Sequence, residues 1–237
     1  MRRVIIGDIH GHDTWRRIRD AEPDADEFMF LGDYMDAFGV TRQDQEDNFR
    51  HILEWHDRDP RVILLAGNHD MHYTKDFGEK YSGWNAVTYS DISALMTERF
   101  LNHHILSAYV DEIHRIIYSH AGVTSLWLGD GDILNVPMVQ PERLRFTYRA
   151  GDCYGSSPWS GPIWVRPSAL KAYPAVDREG NAWEQVVGHT PGGHIRHMKT
   201  DLKSDLWVCD ALPQEYLVQE LDGKGGHKSV VRELGHQ

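Results

Sequence analysis

Five short apolar runs punctuate the chain: Val4-Ile5-Ile6, Phe28-Met29-Phe30-Leu31, Val62-Ile63-Leu64-Leu65-Ala66, Ile116-Ile117-Tyr118 and Val186-Val187. Unbroken apolarity over so few residues is the pattern of strands buried on both faces. Each run leads into a polar cluster: Gly-Asp-Ile-His-Gly, Gly-Asp-Tyr-Met-Asp, Gly-Asn-His-Asp, Ser-His-Ala-Gly and Gly-His-Thr-Pro, in that order. Open α/β sheets bind ligands outside the carboxyl ends of their strands, so five ends bearing Asp, Asn or His predict one shared polar site. Between the first three runs the period turns helical. Asp13 or Thr14 caps a helix through Trp15, Ile18 and Arg19, and Phe49, Ile52, Leu53 and His56 form a one-sided stripe that stops near Asp59-Pro60. This alternation predicts parallel βαβ units in a single open sheet over the first 70 residues, an α/β fold class.

Further along, Ile92, Leu95, Met96 and Arg99 space a helix from about Asp91 to Asn102. Ile105 to Val110 and His114 to Tyr118 flank Asp111-Glu112 as a hairpin. A short helix is expected over Pro141 to Arg149, and strands at Leu206-Trp207-Val208, Tyr216-Leu217-Val218 and Ser229-Val230-Val231. Residues 71–104 carry Tyr73, Phe77, Tyr81, Trp84 and Tyr89 in a polar setting, and residues 124–183 are irregular and rich in proline. Together they are expected to form a substrate-side cap on one domain spanning 1–237.

At 237 residues and 41% hydrophobic, the chain can bury a sizeable core. No apolar run approaches the roughly 20 residues of a membrane span, and the start breaks at Gly7 and Asp8 before a signal-peptide core forms. A soluble, cytoplasmic protein is expected. Only Cys153 and Cys209 are present, which excludes cysteine-based metal clusters and points to reduced thiols. A net charge of -11 disfavours nonspecific nucleic-acid binding. The 15 histidines are the unexplained excess.

Asp8 and His10 are two apart, so at an extended strand end they point the same way and can hold one metal ion. The Asp33 carboxylate can bridge to a second, for which Asn68, His120 and His189 offer neutral oxygen and nitrogen. That mixture of ligands suits Mn, Fe or Zn better than Ca. Two ions about 3.5–4 Å apart would activate a bridging water and clamp a phosphoryl group for in-line attack. His69 follows Asn68, and alternation turns it toward the mouth of the site, where it can protonate a leaving alkoxide. Asp36 can orient that imidazole and keep it cationic. The role of Asp70 stays open. Buried Asp and His without partners are costly, so a purely structural role for the whole set is disfavoured. His51, His56, His103, His104, His227 and His236 are taken as solvated, and His12, His72 and His194 at most as supports behind the ligands. Trp84, Trp127, Trp159 and Trp164 are taken as packing in the first instance.

The five clusters, in this order from Gly7 to Pro191, resemble the calcineurin-like metallophosphoesterases, and most of all the branch of phosphoprotein phosphatases and symmetrical diadenosine tetraphosphatases. The resemblance implies a two-sheet β-sandwich flanked by helices, with a dinuclear metal site at the strand C-terminal ends. It implies Asp8, His10 and Asp33 on one ion, and Asp33, Asn68, His120 and His189 on the other. His69 would be the general acid and Asp36 its partner. The chain departs from the pattern where Asp36-Ala37-Phe38-Gly39 replaces the Asp-Arg-Gly usual in phosphoprotein phosphatases, which removes one phosphate-binding arginine. Trp164-Val165-Arg166-Pro167 resembles a later segment that supplies another. Arg166 is therefore the expected phosphate contact, together with Asn68, while Arg149 is either a second contact or a surface ion-pair partner. Gly-His-Thr-Pro lacks the second histidine of many phosphodiesterase relatives.

The expected activity is that of a phosphatase using two divalent ions, manganese first and Fe, Zn or Ni as alternatives. It would hydrolyse phosphomonoesters of Ser, Thr or Tyr in proteins, or of small molecules. A symmetrical dinucleoside tetraphosphate hydrolase is the enzyme alternative, because an aromatic cap can stack adenine. An inactive, metal-stabilised binding module is the alternative from another class.

Overall fold

The computed structural model describes residues 1–75, 77–146 and 156–235. The apolar runs do form strands, and they divide between two sheets where the apolar pattern alone predicts a single open one. The sandwich implied by family resemblance is the architecture found. In chain order the strands are β1 (Arg2–Ile6), β2 (Glu27–Phe30), β3 (Val62–Leu65), β4 (Ile105–Leu106), β5 (Ala108–Asp111), β6 (Ile116–Ser119), β7 (Glu184–Val187), β8 (Arg196–Lys199), β9 (Asp205–Val208), β10 (Glu215–Leu221) and β11 (His227–Glu233). One sheet runs β11-β10-β1-β2-β3-β4 and the other β5-β6-β7-β9-β8. Strands β1, β2, β3 and β4 are parallel, as are β6, β7 and β9, so each sheet presents neighbouring carboxyl ends side by side.

Burial on both faces explains the unbroken apolar runs. Val4 and Ile6 of β1 face the helices with Trp15, Phe28 and Phe49. Ile5, Met29, Leu31 and Leu65 face the other sheet, where they meet Tyr118, Val186 and Cys209. Cys209 is a free, buried thiol. Arg3, only 1% exposed, ties the sheets together. Its guanidinium donates to Glu27 (2.6 Å) in the first sheet and to Asp111 (3.0 Å) and the Tyr118 hydroxyl (2.8 Å) in the second.

Helix α1 (Thr14–Ala21) has Asp13 at its N-cap position, with no side-chain capping bond. Helix α2 (Arg42–Arg58) is capped by Thr41 and ends at Asp59, whose extended backbone suits the residue before proline. The turn α3 (Asn68–Met71) follows β3. Helix α4 (Ala86–Leu101) begins earlier than its apolar spacing predicts, because the Asn85 side chain accepts from the amides of Val87 (2.8 Å) and Thr88 (3.2 Å). Its Ile92, Met96 and Phe100 join the main core.

The hairpin expected over 105–118 is corrected in its first arm. Ile105–Leu106 pairs in parallel with β3 of the first sheet, and only Ala108–Asp111 pairs with β6. The buried Ser107 marks the crossing, its hydroxyl donating to the Val136 carbonyl at 2.6 Å. The helix expected from Pro141 ends at Leu144, since Arg145 is extended, and Arg149 lies outside the described residues. Among the described residues, no helix is long and apolar enough to cross a membrane.

Candidate active site

Six strand ends, three from each sheet, deliver the polar residues to one rim. Asp8 and His10 follow β1, Asp33 and Asp36 follow β2, and Asn68 and His69 follow β3; His120, His189 and Asp210 follow β6, β7 and β9. Asp8, His10, Asp33, Asp36, Asn68, His69, Arg166, His189 and Asp210 line one open cavity of about 750 Å³, and fully buried His120 lies behind it.

The turns are tight. His10, Asp33, Asp36 and His189 all have left-handed backbones, with φ of 42°, 51°, 66° and 61°. His10 therefore reaches the site through a turn and not through the strand alternation expected of it. His69 likewise sits on a helical turn, which leaves its side chain 22% exposed while neighbouring Asn68 is 3% exposed. Two glycines make room for carboxylates: a Cβ at Gly67 would lie 2.1 Å from Asp33 Oδ1, and one at Gly188 2.1 Å from Asp8 Oδ1. Asp70 supports these turns. Its Oδ2 accepts from the amides of Asp33 (2.8 Å) and Gly67 (2.7 Å), and its Oδ1 from that of Tyr34 (2.8 Å).

The orientations of the imidazoles test whether the cluster suits metal ions. His10 Nδ1 lies 3.0 Å from the Met35 carbonyl, His120 Nδ1 2.8 Å from that of Leu31, and His189 Nε2 3.1 Å from that of Trp164. A carbonyl only accepts, so each of these nitrogens carries a hydrogen, and in the neutral form of the ring the other turns a lone pair inward. His120 Nε2 then lies 3.0 Å from Asn68 Oδ1, 3.2 Å from His189 Nδ1 and 3.3 Å from Asp33 Oδ2. Lone pairs facing at that range repel unless a proton or a metal cation stands among them. Asp33 Oδ2 is also 3.8 Å from His10 Nε2, which places it between the two imidazoles, while Asp33 Oδ1 accepts the His69 amide at 2.9 Å.

Without an ion, the carboxylates draw a proton onto His120 instead, and the charges show the negative potential that a cation would meet. Burial and the neighbouring Asp210 push the Asp8 carboxyl well above the usual range. Burial acts on Asp33 in the same direction, but His120, His69 and His10 hold it well below. Burial and His120 keep His189 neutral, whereas His120, desolvated yet facing Asp33 and Asp8, is drawn up to about 10. Two groupings, Asp8-His10-Asp33 and Asp33-His120-His189, each bring ligand atoms within 4.8 Å of one another and share Asp33.

Beside them, His69 Nδ1 meets Asp36 Oδ2 at 2.8 Å. Burial lowers the His69 pKa, but Asp33 and Asp36 raise it above its ordinary value on balance. Asp36 has further partners that sequence reasoning missed. Tyr73 donates its hydroxyl to Oδ1 at 2.7 Å, and His72 Nε2 lies 2.7 Å from Oδ2. His72 Nδ1 accepts from the Tyr81 amide at 3.3 Å, so Nε2 is the nitrogen that carries hydrogen toward Asp36. Burial opposes it, yet His69 first, then His72 and Tyr73, hold the Asp36 carboxyl below its ordinary value.

Arg166 donates through Nη1 to the His189 carbonyl (2.9 Å) and to Thr190 Oγ1 (3.2 Å). Among the described residues lining the cavity it is the one Lys or Arg. Asp210 is the other residue missed. Its signal was present, an Asp two places beyond the run Leu206-Trp207-Val208.

Two solved structures share the fold. A cold-active protein-tyrosine phosphatase from a psychrophilic Shewanella species is 17% identical, with a TM-score of 0.51 over 96% of this chain and 80% of that one. A protein serine/threonine phosphatase from Saccharomyces cerevisiae is 12% identical, with a TM-score of 0.53 over 100% of this chain and 81% of that one. A putative diadenosine tetraphosphatase is 14% identical, with a TM-score of 0.49 over 99% and 95%. No curated protein matches the chain. Residues 1–215, which hold every residue of the site described above, match the model of the calcineurin-like phosphoesterases, and the chain belongs to that family of phosphoester hydrolases.

Proposed function

We propose that the chain is a phosphatase that uses two divalent metal ions to hydrolyse phosphomonoesters, either on proteins or on small molecules. The observation that carries this proposal is the His69–Asp36 pair in the same cavity as the shared Asp33 cluster. A metal-binding module has no use for a positioned proton donor. Asp8, His10 and Asp33 would hold one ion, and Asp33, Asn68, His120 and His189 the other. Bound there, the ions would supply an activated water and neutralise charge on the phosphoryl group. Arg166 and Asn68 would steady the phosphate. His69, whose proton Asp33 and Asp36 hold more firmly than a free imidazole would, would release it to the departing alcohol oxygen, and Asp36 would fix the ring for that transfer. Tyr81 and Ser82 of 71–104, and Trp164 and Arg166 of 124–183, border the cavity, which supports a cap role for parts of both segments.

Oxygen and imidazole ligands together accept Mn, Fe, Zn and Ni, and manganese is the ion we take first. Hydrolysis of phosphoserine, phosphotyrosine and p-nitrophenyl phosphate should require added Mn and disappear with chelator, and hydrolysis of phosphoserine should also disappear in His69→Ala. Activity undiminished by exhaustive chelation would refute the proposal. Conversion of diadenosine tetraphosphate to ADP alone, at a rate above any monoester, would move the chain to the dinucleoside class.

A further inference from the structure

Phe38 stands at the rim of the cavity and is 89% exposed, more than any other large apolar side chain described. Single exposed apolar residues are common, so exposure alone carries nothing. What distinguishes Phe38 is how the chain presents it.

The backbone on either side is pinned from below. Gln45, buried in α2, accepts the Ala37 amide through Oε1 at 3.0 Å, and its Nε2 donates to the carbonyls of Ala37 (3.3 Å) and Val40 (2.9 Å). Room for that glutamine exists because residue 11 is glycine: a Cβ there would lie 2.5 Å from Gln45 Cγ. Asp36 and Gly39 turn the chain with φ of 66° and 85°, which lifts the two residues between them outward. Asp36 is itself fixed by His69 and Tyr73. A segment held by this many bonds holds Phe38 outward as part of the fold. The cavity it borders also has Tyr81 and Trp164 in its wall, and it is large enough for a ligand well beyond a bare phosphate.

We propose that Phe38 is a specificity residue that stacks on an aromatic group carried by the substrate, which directs the site to nucleoside or aryl phosphates. This rests on the phosphatase assignment above. An aromatic face stacks on any planar ring and gains less from an alkyl chain. The shared chemistry is thus a planar ring joined to a phosphate, and its source is either a nucleobase or a tyrosine.

Two substrate pairs separate these sources, and comparing each pair's ratio among variants cancels any difference in leaving group within it. AMP differs from ribose 5-phosphate by its base, and phosphotyrosine is set against phosphoserine as the aryl and alkyl forms. For each pair the ratio of kcat/KM values is compared among the Mn-loaded parent, Phe38→Ala and Phe38→Trp. The ratio in one pair should fall about tenfold in Phe38→Ala, through KM, and recover in Phe38→Trp. The pair that moves names the source. Ratios that stay constant in both pairs, or that Phe38→Trp fails to restore, overturn the proposal while leaving the phosphatase assignment intact. Absence of hydrolysis on all four substrates strikes the assignment instead. Calorimetric binding of AMP against ribose 5-phosphate, and of phosphotyrosine against phosphoserine, then reads the same ratios without turnover, and equal affinities within both pairs overturn the stacking role.

Discussion

Replacing Asp70 tests how the site is held together. The side chain is fully buried, and its two oxygens accept three main-chain amides, from Asp33, Tyr34 and Gly67. An asparagine has one acceptor oxygen. Turned to keep the two bonds to Asp33 and Gly67, it sets its NH2 against the Tyr34 amide and strands one buried donor, at a cost of about 1–3 kcal/mol. An alanine strands all three, so the cost rises to about 3 kcal/mol at least, a large share of the 5–15 kcal/mol typical of a domain. The same change unties the Asp33 turn from the Asn68 turn, and metal affinity should fall with it. Urea unfolding in chelator measures the first effect, and calorimetric titration with Mn measures the second. The expected order is wild type, Asp70→Asn, Asp70→Ala in both. An Asp70→Ala protein within about 0.5 kcal/mol of wild type would refute the reasoning, because that is the range of ordinary surface changes.

Asp36→Asn should lower kcat about 100-fold on phosphoserine, whose alkoxide needs a proton, and far less on p-nitrophenyl phosphate, whose phenolate does not; equal losses on the two substrates would remove Asp36 from proton delivery. His227 Nε2 lies 2.8 Å from Glu184 Oε2 across the two sheets, and this bond raises the histidine pKa. A raised histidine pKa adds stability that is complete below about 6.5 and is lost as pH rises through the folded value. The difference in urea midpoint between wild type and His227→Gln should therefore shrink from about pH 6 to about pH 9; a constant gap would contradict the charge argument.

Much of the site is legible in the sequence because each ligand follows a strand, and strands buried on both faces announce themselves by unbroken apolarity. The sheet to which a strand belongs is not legible this way. Ile105–Leu106 and Ala108–Asp111 read as one strand, yet they separate at Ser107 because pairing partners are chosen by tertiary packing. Strand β8 escapes for another reason. It is an edge strand with the sequence Arg-His-Met-Lys, and half of its residues lie exposed, so it has no apolar run to show. Tyr73 and His72 escape because their grip on Asp36 joins different loops and leaves no periodic trace. Asp210 escapes although its strand is visible, since Cys-Asp lacks the glycine that marks the other ends.

The four left-handed residues at the rim bear on how such a chain would decay. Non-glycine residues in that region each cost about 1–3 kcal/mol, so His10, Asp33, Asp36 and His189 keep conformations that the rest of the fold must enforce. While the site is under selection, their side chains justify that tension. Once selection lapses, glycine at any of the four removes a ligand or an acid partner and relaxes the backbone in the same step. At His10, a third exposed and bonded to one carbonyl, loss of function is then also a gain in stability, whereas at Asp36 the relief is offset by the buried donors of Tyr73 and His72 that it strands. A descendant that had abandoned catalysis would carry glycine at position 10 before any erosion appeared in the apolar strand that leads to it.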